Sequence, residues 1–148
     1  MSYSMVRLGS VLYFALFPAI AFAQGKDTVR RETLSQAAER AKHAWLAHDA
    51  QALVGSSSSL VLQIPGAEPS SPLGRAQAIE LLLRYLRPTE ERSLDLTAVR
   101  EVEPGRGFVE LTRRYVVTGT SEQRHETLFL GFKREGSEWR LAELRNAP

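Results

Sequence analysis

Residues 93–145 are the most strongly patterned part of the chain and read SLDLTAVREVEPGRGFVELTRRYVVTGTSEQRHETLFLGFKREGSEWRLAELR. Three dipeptides divide this stretch into four segments: Pro104-Gly105, Gly119-Thr120 and Glu135-Gly136. Glycine adopts positive φ angles without steric cost, so such dipeptides close tight turns. Within the segments, apolar and polar residues alternate with a period of two, which is typical of half-buried strands. The sequence therefore predicts a meander of four antiparallel strands.

The register of these strands follows from counting outward from two-residue turns. The predicted pairs of apolar residues are Val109 with Leu130, Leu111 with Leu128, Phe132 with Trp139, Leu130 with Leu141, and Ala98 with Leu111. All three hairpins then place their apolar residues on the same face of the sheet. We expect that face to pack against helices from the first half of the chain.

Charged residues interrupt this apolar face near one end. The predicted polar pairs are Arg113 with Glu126, Tyr115 with Arg124, and Glu143 opposite Leu128, while Leu96 lies beside Arg113. Buried charges need partners, because their desolvation costs more than packing returns. This end of the face is therefore either an ion pair near the rim of the sheet or the polar end of a cavity.

The N-terminus carries a secretory signal pattern. Arg7 precedes an apolar stretch that ends in the small-residue site Ala21-Phe22-Ala23. The stretch is shorter than the roughly 18 residues that span a membrane, and Pro18 interrupts it. We therefore expect a signal peptide at residues 1–23, a flexible segment at 24–32, and a single domain at 33–148. The mature protein should be periplasmic or secreted.

Composition excludes several functional classes. Nineteen basic residues face 17 acidic ones and form no basic run, so nucleic acid is a poor candidate partner. The absence of cysteine excludes disulfides, thiol catalysis and cysteine-ligated metals. The three histidines lack a spacing suited to one metal ion, and no phosphate-binding glycine loop is present. We expect no metal and no cofactor.

The segment before the meander predicts two helices and a short strand. Thr33 and Gln36 fit a capping box that opens the first helix. Its apolar stripe comprises Leu34, Ala38, Ala41, Trp45, His48 and Ala52. A short strand covers residues 59–64, and the second helix runs over Arg75–Leu86 until Pro88 stops it. The fold class is therefore α+β, with a curved antiparallel sheet around an N-terminal helix and a second short helix.

This order of elements resembles the nuclear transport factor two-like (NTF2-like) superfamily, whose fold is also called cystatin-like. The stretches that carry the likeness are Trp45-Leu-Ala-His-Asp-Ala-Gln-Ala-Leu53, Gly74-Arg-Ala-Gln-Ala-Ile79 and Trp139-Arg-Leu-Ala-Glu-Leu-Arg145. The chain is especially similar to small exported bacterial members without an assigned function. The resemblance implies a cone-shaped domain with a pocket at its open end.

The resemblance also implies a homodimer through the outer face of the sheet. By the predicted register that face carries Phe108, Glu110, Thr112, Arg114, His125, Thr127 and Phe129. Two exposed phenylalanines among polar residues are compatible with an interface.

Enzymes of this superfamily, such as ketosteroid isomerases, place a general base and a hydrogen-bond donor inside the cone. The candidate bases here are Glu126 and Glu143, with Tyr85 and Tyr115 as donors, although Arg113 should lower the pKa of Glu126. His48 fits a packing role on the first helix better than a base. The lyase or isomerase hypothesis therefore rests on these two glutamates alone.

The hypothesis that the sequence favours is a non-enzymatic domain that binds a small apolar or lipid-like molecule. The candidate pocket comprises Trp45, His48, Tyr85, Arg113, Tyr115, Arg124, Glu126 and Glu143. Its aromatic rings would surround an apolar ligand, and its few charged groups would orient the polar end. A third hypothesis is a protein-interaction module of the cell envelope whose cavity is filled by its own side chains.

Overall fold

A computed structural model describes residues 30–65 and 67–147. The predicted signal peptide and most of the predicted flexible segment lie outside the described residues. The helices are α1 (Leu34–Leu46), α2 (Ala50–Val54) and α3 (Arg75–Leu86). The strands are β1 (Ser59–Gln63), β2 (Leu73–Gly74), β3 (Thr89–Glu103), β4 (Arg106–Val117), β5 (Gln123–Glu135) and β6 (Glu138–Ala147). The predicted helices, the short strand and the four-stranded meander are all present.

The six strands form one curved sheet in the order β2-β1-β6-β5-β4-β3. Neighbouring strands are antiparallel except β1 and β6, which run parallel, so the sheet is mixed. The predicted α+β class is confirmed. The helices and the inner face of the sheet together enclose the hydrophobic core.

Helix α1 begins with the predicted capping box. The Thr33 hydroxyl accepts from the Gln36 backbone N–H, and the Gln36 side chain accepts from the Thr33 N–H. Small buried residues on this helix, among them Ala37, Ala38 and Ala41, let it lie close to the sheet.

Helix α1 ends earlier than its apolar stripe predicts, which moves His48 off the helix. The Asp49 N–H donates to the Ala44 carbonyl and the His48 N–H donates to the Trp45 carbonyl. These two bonds form a Schellman motif, which requires a left-handed residue between its two ends. His48 occupies that position with φ 53°. The prediction that His48 lies on the buried helical stripe was therefore wrong.

The central hairpin has the predicted register, with Val109 opposite Leu130 and Arg113 opposite Glu126. Strand β3 is shifted relative to the prediction by bulges near Val102 and Thr97. As a result Leu111 lies opposite Leu96 in place of Ala98, and Arg113 lies opposite Leu94 in place of Leu96. Each bulge adds one residue to one strand only, so counting from a turn cannot detect it.

The last hairpin also departs from the predicted register. Phe132 lies opposite Leu141 in place of Trp139, because the turn is at Gly136-Ser137 in place of Glu135-Gly136. Ala142 then forms a bulge in β6, between the pairs Phe132–Leu141 and Gly131–Glu143. Beyond the bulge Leu144 faces the core, whereas Glu143 is only half-buried and lies opposite Gly131. The prediction that Glu143 faces the core opposite Leu128 was wrong, because the bulge reverses the alternation of faces along β6.

Within residues 30–65 and 67–147, no helix has both the length and the apolar character that crossing a membrane requires.

Candidate functional site

Arg113 lies at the centre of a buried polar cluster on the inner face of the sheet. Its side chain is fully buried, and strand β4 holds it between β3 and β5. Two N–H groups donate to Glu91, from Nε at 3.1 Å and from Nη2 at 2.5 Å. Nη1 donates to Glu126 at 3.0 Å and to the Tyr85 hydroxyl at 2.9 Å. Four hydrogen bonds thus engage a guanidinium that has five N–H donors.

Glu126 is the second hub of the cluster. Its Oε1 accepts from the Tyr115 hydroxyl at 2.5 Å. Its Oε2 accepts from the Tyr85 hydroxyl at 2.6 Å and from Asn146 Nδ2 at 2.7 Å, in addition to Arg113. This carboxylate therefore receives four hydrogen bonds from four different residues.

Aromatic rings surround the guanidinium and separate it from solvent. The Arg113 Cζ lies 3.9 Å from the centroid of the Tyr115 ring, 5.0 Å from that of Trp45 and 5.3 Å from that of Tyr85. Trp45 and Tyr85 contact each other edge to face at 6.1 Å. Such contacts stabilise a desolvated cation through the ring quadrupole.

Glu91 and Asn146 belong to this cluster although the sequence did not predict them. A third bulge in β3, between Glu91 and Ser93, moves Glu91 to the inner face opposite Tyr115. The bulge in β6 does the same for Asn146, which lies opposite Leu128. The sequence carried one signal for the bulge in β6. Leu144 is apolar, although unbroken alternation along the strand would place it on the solvent-facing side.

The cluster fixes the protonation states of its members. Burial acts to raise the pKa of Glu126, but the hydrogen bonds from Asn146, Tyr115 and Tyr85 and the charge of Arg113 together lower it. Burial, and after it the hydrogen bond to Glu126, raises the pKa of both Tyr85 and Tyr115. Glu126 is thus held as a carboxylate and the two tyrosines are held neutral at pH 7.

An apolar cleft of about 520 Å³ adjoins the cluster. Its walls come from α3, β1, β6 and the loop after β1, and they comprise Leu62, Ile64, Ala67, Glu68, Ser70, Leu81, Leu82, Arg84, Tyr85 and Leu144. Tyr85 belongs to both features, because it lines the cleft while its hydroxyl bonds to Glu126. The volume lies within the range of roughly 300–1,000 Å³ that is typical of small-molecule sites.

Comparison with solved structures identifies the architecture. A ketosteroid isomerase-like protein from Erwinia carotovora atroseptica superposes with a TM-score of 0.66 and 16% identity, over 78% of this chain and 95% of that chain. A candidate dehydratase of the NTF2-like family from Streptomyces avermitilis gives 0.60 and 18%, over 77% and 91% of the two chains. A domain of unknown function with a cystatin-like fold from Nostoc punctiforme gives 0.60 and 16%, over 78% of each chain.

The chain has the NTF2-like fold. No protein-family model matches the sequence, and no curated protein matches it either. Identities of 16–18% establish a shared fold and leave function to be argued from the site.

The NTF2-like fold brings together five of the eight residues predicted to form the pocket: Trp45, Tyr85, Arg113, Tyr115 and Glu126. It does not place the other three in the cluster. His48 is half-buried at the end of α1, and the exposed Arg124 pairs with Glu122. Glu143 pairs with Arg145.

The cluster of this NTF2-like domain is suited to holding hydrogen bonds, and it is poorly suited to moving protons. The pKa of Glu126 is lowered by its hydrogen bonds and by Arg113, which makes this carboxylate a weaker base than an ordinary glutamate. Glu143, the other predicted base, is half-buried and lies opposite Gly131, outside the cluster. Among the described residues, no group of three or more acidic or histidine side chains is arranged to hold a metal ion.

A larger cleft of about 870 Å³ lies around Arg40, Trp139 and Arg140 and shares no residue with the cluster. Part of its charge is already neutralised, because Arg40 pairs with Glu32. Glu32 also accepts from the Trp139 backbone N–H and so ties the start of the described chain to β6. We therefore regard the apolar cleft beside Tyr85 as the candidate functional site.

Proposed function

We propose that this protein is an exported, non-enzymatic domain that binds a small apolar molecule in the cleft beside Tyr85. The observation that carries the proposal is the composition of the cleft wall, which is dominated by leucine, isoleucine and alanine side chains. Two of its residues, Ile64 and Leu81, remain 45% and 40% exposed. Large apolar side chains gathered at the mouth of a concave site favour an apolar ligand.

The pocket proposed here differs from the one expected from the sequence. Trp45 and Tyr115 are buried in the packed interior, and Arg113 is enclosed by its own partners. Of the predicted ring of aromatic residues, only Tyr85 lines the cleft. The cluster then serves as a rigid inner wall, and the cleft supplies the volume.

Export is the second part of the proposal. Its support is the signal-peptide pattern of residues 1–23. We propose that the mature protein acts in the periplasm or outside the cell. Mass spectrometry of the protein recovered from the envelope fraction should show an N-terminus at Gln24, and an uncleaved chain in the cytoplasm would contradict export.

A neutral fluorescent probe tests binding directly. N-phenyl-1-naphthylamine becomes fluorescent in an apolar site, and its titration into the exported protein should saturate at one probe per chain. Leu81→Glu should weaken binding at least tenfold by placing a charge at the rim of the cleft. Leu46→Glu is the matched control, because Leu46 is 43% exposed on α1 and does not line the cleft. Absence of saturable binding, or equal effects of the two variants, would refute the proposal.

The homodimer remains a proposal, with the outer face of the sheet as its interface. Phe108 and Phe129 lie side by side there, with ring centroids 5.8 Å apart, next to a depression of about 420 Å³. The same face carries Arg114 and His125 as well as Glu110, so two copies related by a two-fold axis can pair opposite charges. Analytical ultracentrifugation should show a dimer at micromolar concentration that Phe129→Lys disrupts. A wild-type protein that sediments only as a monomer would contradict this interface.

A further inference from the structure

One wall of the apolar cleft comes from the loop after β1. Residues 64–72 connect β1 to β2, and Ile64, Ala67, Glu68 and Ser70 of this loop line the cleft. The other walls belong to α3, β1 and β6, whose backbones are held by regular hydrogen bonding. A loop keeps its position only as far as its own contacts with the rest of the domain hold it. The shape of the cleft therefore depends on how this loop is attached.

Ser70 makes two short hydrogen bonds between the loop and strand β1. The Leu62 N–H donates to Ser70 Oγ at 2.9 Å, and the Ser70 N–H donates to the Leu62 carbonyl at 2.8 Å. Leu62 and Ser70 both line the cleft. Gln63 Nε2 also donates to the Ala67 carbonyl, at a longer distance of 3.4 Å. Within the part of the chain that the structure describes, Ser70 is thus the main attachment of the loop to the strand.

This attachment departs from the regular ladder between β1 and β2. The two strands are antiparallel, with Leu60 opposite Leu73. An unbroken register would therefore place Ser71 opposite Leu62. Ser70 lies there instead, and its side-chain oxygen accepts the hydrogen bond that a backbone carbonyl accepts in a regular ladder. The attachment consequently depends on the hydroxyl group of one particular residue.

Loss of this hydroxyl would leave the Leu62 N–H without an acceptor on the loop. Leu62 is 94% buried, so its N–H can pair with water only if the loop moves away from the strand. Resting on the proposed function, we infer that Ser70 is a positioning residue of the apolar cleft. Its hydroxyl holds the loop against Leu62 and so sets the width of the space that a ligand fills between the loop and α3.

The adjacent serine provides a matched control. Ser71 is exposed and does not line the cleft. In the titration with N-phenyl-1-naphthylamine, Ser70→Ala should weaken binding about five- to tenfold, which is the effect of one lost hydrogen bond that orders the site. Ser71→Ala should bind within about twofold of the wild type. Ser70→Thr keeps the hydroxyl group and should recover most of the affinity.

Hydrogen exchange followed by NMR tests the attachment itself without any ligand. The Leu62 amide should exchange about tenfold faster in Ser70→Ala than in the wild type, and its rate should be unchanged in Ser71→Ala. Urea unfolding should give midpoints close to that of the wild type for all three variants, because Ser70 and Ser71 lie outside the hydrophobic core. An affinity loss that only follows a loss of global stability would indicate a purely structural role and overturn the inference.

The binding and exchange measurements can fail independently. Equal affinities of Ser70→Ala and Ser71→Ala would overturn the role of Ser70 and leave the apolar site intact. The same holds if Ser70→Thr binds as weakly as Ser70→Ala, or if the Leu62 amide exchanges at the wild-type rate in Ser70→Ala. Failure of the probe to bind the wild type would remove the proposed function, and the exchange rates would still decide whether Ser70 attaches the loop.

Discussion

Replacement of Arg113 by methionine should be strongly destabilising. The substitution keeps an unbranched side chain of similar length and removes the charge and all four hydrogen bonds. Glu91 and Glu126 would then stay buried, with side chains 5% and 9% exposed, and without a cation. Breaking a buried pair in this way costs about 3–5 kcal/mol. In a domain of this size the melting temperature should fall by roughly 10–20 °C.

Urea unfolding at pH 7, followed by circular dichroism, measures this loss. A triple variant that combines Arg113→Met with Glu91→Gln and Glu126→Gln provides the control, since it removes the charges together. A buried neutral amide costs far less than a buried carboxylate without a cation, so a large part of the loss should be recovered. Recovery of stability in the triple variant would show that the unpaired carboxylates cause the loss.

The pH dependence of the same variant gives a second check. A protonated carboxyl group needs no counter-charge, and burial without a cation raises the pKa of a carboxyl, so the difference between the wild type and Arg113→Met should shrink steadily as the pH falls from 7 to 3. A loss of less than about 1 kcal/mol at pH 7 would refute the argument. A loss of the expected size that does not change between pH 7 and pH 3 would equally show that packing around Arg113, and not charge, is responsible.

Three further predictions follow from the fold and the cluster. Because the pKa of Glu126 is lowered in the folded protein, its contribution to the free energy of unfolding is present above about pH 4.3 and is lost as the pH falls through the folded pKa. Because the pKa of Tyr85 is raised, its contribution is complete below about pH 10 and is lost as the pH rises above that value. Unfolding free energies should therefore decline on both sides of neutrality, and Glu126→Gln should flatten the acid side; an unchanged acid side would contradict this. Gly107→Ala should destabilise by about 1 kcal/mol in urea unfolding, because a Cβ there would overlap the terminal methyl groups of Leu34, and Leu34→Ala in the same chain should remove most of the penalty. His48→Gly should stabilise by roughly 0.5–1 kcal/mol, because glycine adopts the left-handed angle of this helix end at lower cost, and a destabilised variant would show that the imidazole makes compensating contacts.

The sequence predicted the parts of the structure that depend on local pattern. The capping box at Thr33, the Pro104-Gly105 turn and the opposition of Arg113 and Glu126 all follow from spacing along the chain, and all are confirmed. The last turn is Gly136-Ser137, one residue later than the predicted Glu135-Gly136. The central hairpin has an uninterrupted register, so counting from its turn reaches the right partners. Local chemistry was sufficient where the turn lies at the predicted dipeptide and no residue is inserted in a strand.

The remaining site residues depend on inserted residues that spacing alone does not reveal. Glu91 and Asn146 reach the cluster only because a bulge changes the face on which each strand continues. His48 was misassigned for a related reason, since a helix can end before its apolar stripe does. The position of the apolar cleft depends on how α3 and the loop after β1 lie against the sheet, which is a tertiary property that no short motif encodes.

These bulges explain why the NTF2-like fold is a weak guide to chemistry. The cluster takes Glu91 from β3, Arg113 from β4, Glu126 from β5 and Asn146 from β6, and two of these four need a bulge to face inward. A chain with the same strand order and no bulge would present different residues to the interior. In this chain the bulges supply a second carboxylate and an amide, which together with two tyrosines take part in the hydrogen bonds of Arg113 and Glu126. The interior is therefore a packed polar cluster, and the ligand site that we propose is the apolar cleft beside Tyr85.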